Sequence, residues 1–193
     1  MKIKSVKATF HDLIVPVPLF ERPTIRRQVV FCEVETDNGL VGHGITGGQY
    51  LPHGVVPAIE RHVGETVMDM DPRDTEAIHE KVWWAHNQRS MTGVVSAALS
   101  AIDIACWDIL GKAAGMPVCE LLGGRYGADG ALYRSVSRDT PEAMAAKLKG
   151  YRAQGHHKFQ LKVGGDADDD IARIRRVATD LKPGERVVAD ANT

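Results

Sequence analysis

From Gly127 to Thr193 the chain alternates strand-like and helix-like patterns, and that rhythm constrains the fold more than any other feature. Residues 132–136 read as a strand. Thr140 followed by Pro141 caps a helix whose apolar face is Met144, Leu148 and Tyr151, closed by Gly155. Residues 159–163 make a second strand, 166–181 a second helix with Ile171, Ile174, Ala178 and Leu181 facing inward, and 187–189 a third strand. Strands joined through helices pair in parallel, because each crossover returns the chain to the same end of the sheet. Parallel sheets are covered on both faces, and three strands do not complete one. An eight-stranded β/α barrel takes about 250 residues, so the stretch reads as the first units of a barrel that continues in a longer chain.

Residues 1–126 follow a different pattern. Val30, Cys32 and Val34 alternate with Phe31, Glu33 and Glu35, the period of a half-buried strand. Asn38 and Gly39 supply the pair that a type I′ hairpin turn favours, and 40–45 returns as a short glycine-rich strand. Residues 16–25 carry three prolines and read as a loop. Beyond residue 51 the spacing turns helical, through Val56, Ile59 and Val63. Asp71 and Pro72 predict a helix start, continued by Ile78 and Val82. The longest helix is expected over 92–114, ending at Gly115, with Ala98, Ile102, Ala105 and Ile109 as its buried stripe. A meander followed by helices is an α+β unit. The predicted architecture is an α+β capping domain over 1–126, followed over 127–193 by the start of a TIM-type β/α barrel.

Bulk properties exclude more than they assign. The formal net charge is −1, which offers no electrostatic argument for nucleic acid or an anionic membrane. No uninterrupted apolar run reaches the roughly 18 residues of a membrane span, and the N-terminus lacks a signal-peptide pattern. The three cysteines, Cys32, Cys106 and Cys119, form no CxxC and leave an odd count, which fits a reducing cytoplasm better than a disulfide framework.

Side chains alternate along a strand, so Gln160 and Lys162 share one face while Phe159 and Leu161 take the other. The apolar pair should meet helices. Gln160 and Lys162 then point into the barrel, near the C-terminal strand ends where active sites gather. Asp190 and Asn192 have the same spacing on the next strand. Alone, Lys162 reads as a surface lysine and Asp190 as a helix N-cap. Together, on consecutive strand ends, they read as half of a metal-assisted proton-transfer site.

The 101–112 segment AIDIACWDILGK and the 117–124 segment PVCELLGG resemble the signature helix and barrel entry of the mandelate racemase/muconate lactonizing branch of the enolase superfamily. The FQLKVG and VADAN segments (159–164 and 188–192) resemble that family's Lys-x-Lys strand and first metal-ligand strand. The resemblance spans essentially the whole chain. It implies an α+β capping domain on a modified TIM barrel that binds one Mg²⁺, and removal of a proton α to a carboxylate through an enediolate. By the same resemblance Lys162 is the acid/base residue and Asp190 the first of three carboxylate metal ligands; hard oxygen ligands suit Mg²⁺. A lysine acts as a base only when its pKa is lowered, which neighbouring positive charge does. The motif's first lysine is here the uncharged Gln160, which leaves that task to the metal or to a later lysine. Glutamine can still hydrogen-bond a substrate carboxylate, and Gln-x-Lys resembles the subgroup of betaine epimerases and hydroxyproline dehydratases.

Tyr50, within residues 46–53, matches a capping-domain loop that closes over substrate, where its ring could face an ammonium group or pack at a domain interface. The 16–25 loop matches the other specificity loop, with Arg22 and Thr24 as contacts, and Asn192 joins the substrate-binding set. The resemblance also implies a homo-oligomer acting on a small carboxylate, an amino-acid or proline derivative among the candidates. Racemisation or epimerisation is the first expectation and dehydration of a hydroxy acid the second. A reading of another class is a non-catalytic truncated fragment, and the 193 residues alone are expected to be inactive. A nucleotide-binding reading lacks its glycine fingerprint. Asp168, Asp169 and Asp170 fall in the first turn of a helix, where acids suit the macrodipole. Asp103 and Asp108 read as structural hydrogen-bonding residues, His156 and His157 as a solvated loop, and Cys106 as buried.

Overall fold

The computed structural model describes residues 1–16, 24–47, 51–88, 91–125, 127 and 132–191. The chain divides into two compact units, Met1–Tyr126 and Gly127–Thr193. The first opens with an antiparallel sheet of β1 (Ile3–Pro16), β2 (Thr24–Thr36) and β3 (Val41–Gly47) in that spatial order. Val30, Cys32 and Val34 are fully buried on its inner face, as their alternation requires. The β2–β3 connection differs from the expected type I′ turn. Gly39 donates to the Thr36 carbonyl at 3.1 Å, and only Gly39 has a positive φ, 85°. The loop is therefore a three-residue one, a type I turn closed by a left-handed glycine, because β3 takes its register from Val41 opposite Glu35.

Helices cover the inner face. Helix α1 (Pro52–Pro57) runs into a π-helical turn, Ala58–Val63, whose end is marked by Gly64 N–H donating to Ile59 O, and then into α2 (Gly64–Val67). Helix α3 (Thr75–His86) starts three residues after the expected proline. The reason is Asp71, whose carboxylate binds the backbone N–H of Arg73 at 3.0 Å and its guanidinium at 2.9 and 2.6 Å, making a turn of its own. Those bonds from Arg73 hold the Asp71 carboxyl well below the usual range.

Helix α4 (Val94–Ala114) is the central element. By length and composition it could cross a membrane, with a mean hydropathy of 1.6, contrary to the run-length reading of the sequence. Its apolar stripe of Ala98, Ile102, Ala105 and Ile109 is instead buried with β2 and the other helices. Two glycines let it lie directly on β3. A Cβ on Gly42 would stand 2.1 Å from the Ala105 carbonyl oxygen, and one on Gly44 1.8 Å from that of Ala101. Asp108 then accepts from the His43 backbone N–H at 2.8 Å, and Lys112 donates to the Val41 carbonyl at 2.7 Å, so α4 side chains occupy the open edge of β3. At the other edge, β1 gives its Ala8 N–H to Glu60 at 3.0 Å and its Ile3 N–H to Met70 O at 2.8 Å. Asp103 meets His79 of α3 at 3.0 Å. Both aspartates are thus structural. Short α5 (Val118–Leu121) follows.

The second unit is the expected parallel β/α succession: β4 (Arg134–Val136), α6 (Pro141–Ala153), β5 (Lys158–Lys162), α7 (Ala167–Thr179) and β6 (Arg186–Asp190), with strand order β4-β5-β6. Thr140 caps α6 by accepting from Ala143 N–H at 3.3 Å. Val136, Met144, Leu148, Phe159, Leu161 and Val177 form its core. The stripe expected on α7 is not its buried face. Ile171, Ile174 and Leu181 are 45, 37 and 37 % exposed, and Val177 reaches the core. Periodicity says which residues share a face, but contact with α6 and the sheet decides which azimuth is covered. At the strand starts Arg152 spans from α6 to Glu185, with bonds of 2.6 and 2.8 Å, and its guanidinium lies 5.6 Å from the Phe159 ring centre. Arg152 lowers the Glu185 carboxyl from 4.5 to about 2.

Gly44→Ala is expected to destabilise the first unit by about 2–3 kcal/mol through overpacking against helix backbone. Gly47→Ala, whose Cβ meets nothing within 4 Å, should cost less than about 1 kcal/mol. Urea unfolding followed by fluorescence of the three tryptophans, all in the first unit, reads both. Because the folded-state value of Glu185 is depressed, its contribution is complete above its ordinary value of 4.5 and fades as pH falls toward about 2. Amide exchange across β5 should accelerate over that window, and Glu185→Gln should flatten the response.

Candidate active site

The alternation of β5 sets the site. Phe159 and Leu161 are fully buried against the helices, which turns Gln160 and Lys162 to the opposite face of the sheet. Strand β6 pairs with β5 in parallel, and Lys162 stands opposite Asp190 in the register. Lys162 Nζ lies 2.5 Å from Asp190 Oδ2, and Gln160 Nε2 donates to the same oxygen at 2.8 Å. Gln160 is in register with Val188, one step short, so its side chain reaches diagonally along the sheet. Lys162 and Asp190 are half-buried, with side chains 32 and 24 % exposed, which leaves them reachable by a small molecule. The sequence paired these three residues, and the structure brings them together at the C-terminal strand ends.

The loop after β5 is anchored by a residue whose role the sequence did not disclose. Asp170 Oδ2 accepts the backbone N–H groups of Gly164 and Gly165 at 2.8 and 2.9 Å, and these two bonds hold its carboxyl below the usual range. Arg173 holds the other oxygen at 2.8 Å and also donates to the Asp139 carbonyl at 2.8 Å. One guanidinium therefore joins the loop after β4 to the loop after β5. The available signal was the Gly164–Gly165 pair, which begins two residues after Lys162, followed by an acid in the first turn of the next helix. Asp168 and Asp169 conform to the helix-start reading, with their N–H groups capped by Asp166 at 3.0 and 3.2 Å.

Thr24 opens β2 in the first unit, exposed, and lines a depression of about 400 Å³ with Asp12, Ile14 and Arg26. Tyr50, Arg22 and Asn192 lie outside the described residues. A larger depression of about 740 Å³ belongs to the first unit, beside Ile104, Trp107 and Leu122. Its polar members Asp103, Asp108 and Lys112 are committed to the structural bonds already described, so the chemistry points to the strand ends of the second unit instead.

A hard cation suits part of this arrangement. Asp190 offers carboxylate oxygen, the donor type that Mg²⁺ takes, at a strand end beside a lysine. Among the described residues no three His, Cys, Asp or Glu side chains converge on one point. The described residues therefore fit one ligand of such an ion, with further ligands required from elsewhere.

Residues 7–123 match the N-terminal domain of the mandelate racemase/muconate lactonizing enzyme family. The chain is similar to the cis-3-hydroxy-L-proline dehydratase of Roseibium aggregatum, 43% identical over 174 residues, covering 83% of this chain and 44% of that protein. It is also similar to the hydrophobic dipeptide epimerase of Enterococcus faecalis, 32% identical over 204 residues, covering 100% of this chain and 54% of the relative. Among solved structures, an enolase superfamily member from Roseovarius nubinhibens complexed with magnesium superposes with a TM-score of 0.79 at 30% identity, covering 99% of this chain and 52% of that one. The chain spans about half the length of the relatives it matches. Its α+β unit, its parallel β/α start and these matches make it a member of the mandelate racemase/muconate lactonizing enzyme family of the enolase superfamily.

Proposed function

We propose that this sequence, in a chain of its relatives' length, supplies the acid/base lysine and the first metal-ligand carboxylate of an enzyme that removes the proton α to a carboxylate. The observation that carries this reading is Lys162 Nζ at 2.5 Å from Asp190 Oδ2 on adjacent parallel strand ends. Lys162 Nζ is the atom that takes the proton from the α-carbon. Gln160, bonded to the same carboxylate oxygen, keeps a neutral amide beside the lysine where it can orient a substrate carboxylate. Mg²⁺ held with Asp190 as one ligand would act as a Lewis acid on the substrate carboxylate as its charge builds. Tyr50, Thr24 and Asn192 are the candidate substrate contacts. The free, buried thiols of Cys32 and Cys106 fit a cytoplasmic setting.

Proton removal admits two outcomes. With a hydroxyl on the β-carbon, the electron pair of the broken C–H bond expels it, and with a proton it leaves as water. Without one, a proton returns to the opposite face. The sequence alone ranked epimerisation first. Similarity at 43% identity to a cis-3-hydroxy-L-proline dehydratase favours dehydration of a hydroxylated proline-type carboxylate, and Gln160 in place of lysine supports a proline-type substrate for either outcome. Epimerisation stands second, supported by the match of the whole chain to a dipeptide epimerase.

In the full-length protein, Lys162→Met is expected to reduce α-proton exchange of cis-3-hydroxy-L-proline in D₂O by about 10²–10⁴-fold, followed by NMR. Loss of water from the substrate in the unmodified enzyme supports dehydration, and exchange with configurational change but no water loss supports epimerisation. Undiminished exchange in Lys162→Met would overturn the assignment. Asp190→Asn should weaken Mg²⁺ binding measured by calorimetry. The 193-residue chain alone should show no turnover.

A further inference from the structure

Lys162 and Asp190 are the last residues of their strands. Just beyond them Val163 N–H donates to Asp190 O at 2.9 Å, and after this bond the chain leaves β5. Strand register does not govern the backbone past that point, yet the loop returns to the neighbour of Asp190. Gly164 has a φ of 97°, and a Cβ there would stand 2.5 Å from the carbonyl oxygen of Ala191. The loop after β5 therefore rests on the backbone that directly follows the carboxylate of β6.

Asp170 is what fixes the loop in that place. One of its oxygens takes the amides of Gly164 and Gly165, and the other takes Arg173. The Asp170 and Arg173 side chains are only 13 and 15 % exposed, whereas Asp169 is 66 % exposed. Helix α7 does not need the Asp170 carboxylate for its own start. Asp166 caps it, taking the N–H groups of Asp168 and Asp169 on its side chain and that of Asp170 on its carbonyl at 3.0 Å. The two convergent glycine amides would suit an outside anion, but Asp170 already occupies them. Behind Asp170, α7 is seated in the core through Val177. The contacts thus run without a break from packed core to Asp170, to Gly164, to the backbone beside Asp190.

We propose that Asp170 is a positioning residue for proton removal: by holding Gly164 and Gly165 it keeps the end of β5 against Ala191, and so sets where Lys162 stands relative to Asp190. The inference rests on the roles proposed above for Lys162 and Asp190. Asp170 touches no reacting atom and acts through two backbone amides and one glycine contact. Without its carboxylate the amides turn to water and the loop lifts from Ala191. The Val163 bond is then the last one holding the two strand ends in step. A shift of about 1 Å between reacting groups costs on the order of 10²-fold in rate.

The test is α-proton exchange of cis-3-hydroxy-L-proline in D₂O by the full-length protein at saturating Mg²⁺, with circular dichroism to confirm folding. Asp170→Ala is expected to lower kcat by about 10²-fold with KM little changed. Asp170→Asn keeps an oxygen for the two amides and loses the Arg173 bond, so it should stay within about tenfold of the parent. Asp168→Asn removes the same charge from the same helical turn and should leave kcat unchanged. Gly164→Ala attacks the Ala191 contact from the other end and should lower kcat with Asp170 in place; it carries the test if Asp170→Ala does not fold. The double variant should be no slower than the slower single, because both cut one link. An unchanged kcat in either folded single variant, or Asp170→Asn as slow as Asp170→Ala, would overturn the proposal. Full exchange in Asp170→Ala beside lost exchange in Lys162→Met removes the positioning role alone. Full exchange in both removes the underlying assignment of Lys162 and this proposal with it.

Discussion

The first unit rests on a contact between backbones. Helix α4 lies on β3 where Gly42 and Gly44 present no side chain, with the carbonyls of Ala101 and Ala105 filling the space a Cβ would need. That closeness sets the depth at which Ile102 and Ile109 join Val30, Cys32 and Val34. It also brings Asp108 and Lys112 within reach of the strand's own N–H and C=O groups. The conspicuous charges of the AIDIACWDILGK segment are therefore consequences of packing distance, and small residues at 42, 44, 101 and 105 are what makes the distance attainable.

In the second unit the order of causes runs from apolar to polar. Burial of Phe159 and Leu161 fixes which way β5 faces, and alternation then leaves Gln160 and Lys162 no other side. Parallel pairing places Asp190 beside Lys162 without any specific recognition between them. The 2.5 Å contact is the result of strand register, so the chemistry inherits its precision from the core beneath it. Arg173 adds stiffness above the strands by holding Asp139 and Asp170 together.

This division explains what could be read from residues alone. Short-range alternation at Val30, Cys32 and Val34, and at Phe159 to Lys162, carries its own geometry, and those elements and their facing were readable. The pairing of Lys162 with Asp190 was readable because both parities could be counted. What escaped depended on partners distant in the chain. Asp71 looked like a helix cap until Arg73 claimed its carboxylate, and the Asn38–Gly39 turn took its length from the register of Val41. The apolar residues of α7 shared a face that the sheet did not meet. Asp170 resembled its neighbours in the helix start, and only the fold shows two glycine amides converging on it.

The treatment of the sheet edges has a wider consequence. Along β3 the Asp108 and Lys112 side chains use the groups that another strand would need, and near the start of β1 Glu60 and Met70 do the same. A strand from any other molecule would have to displace charged, well-seated partners before forming its first rung. The sheet is thereby limited to three strands at these positions, and growth by templating, the route by which exposed ladders seed fibrils, is blocked there in the native state itself.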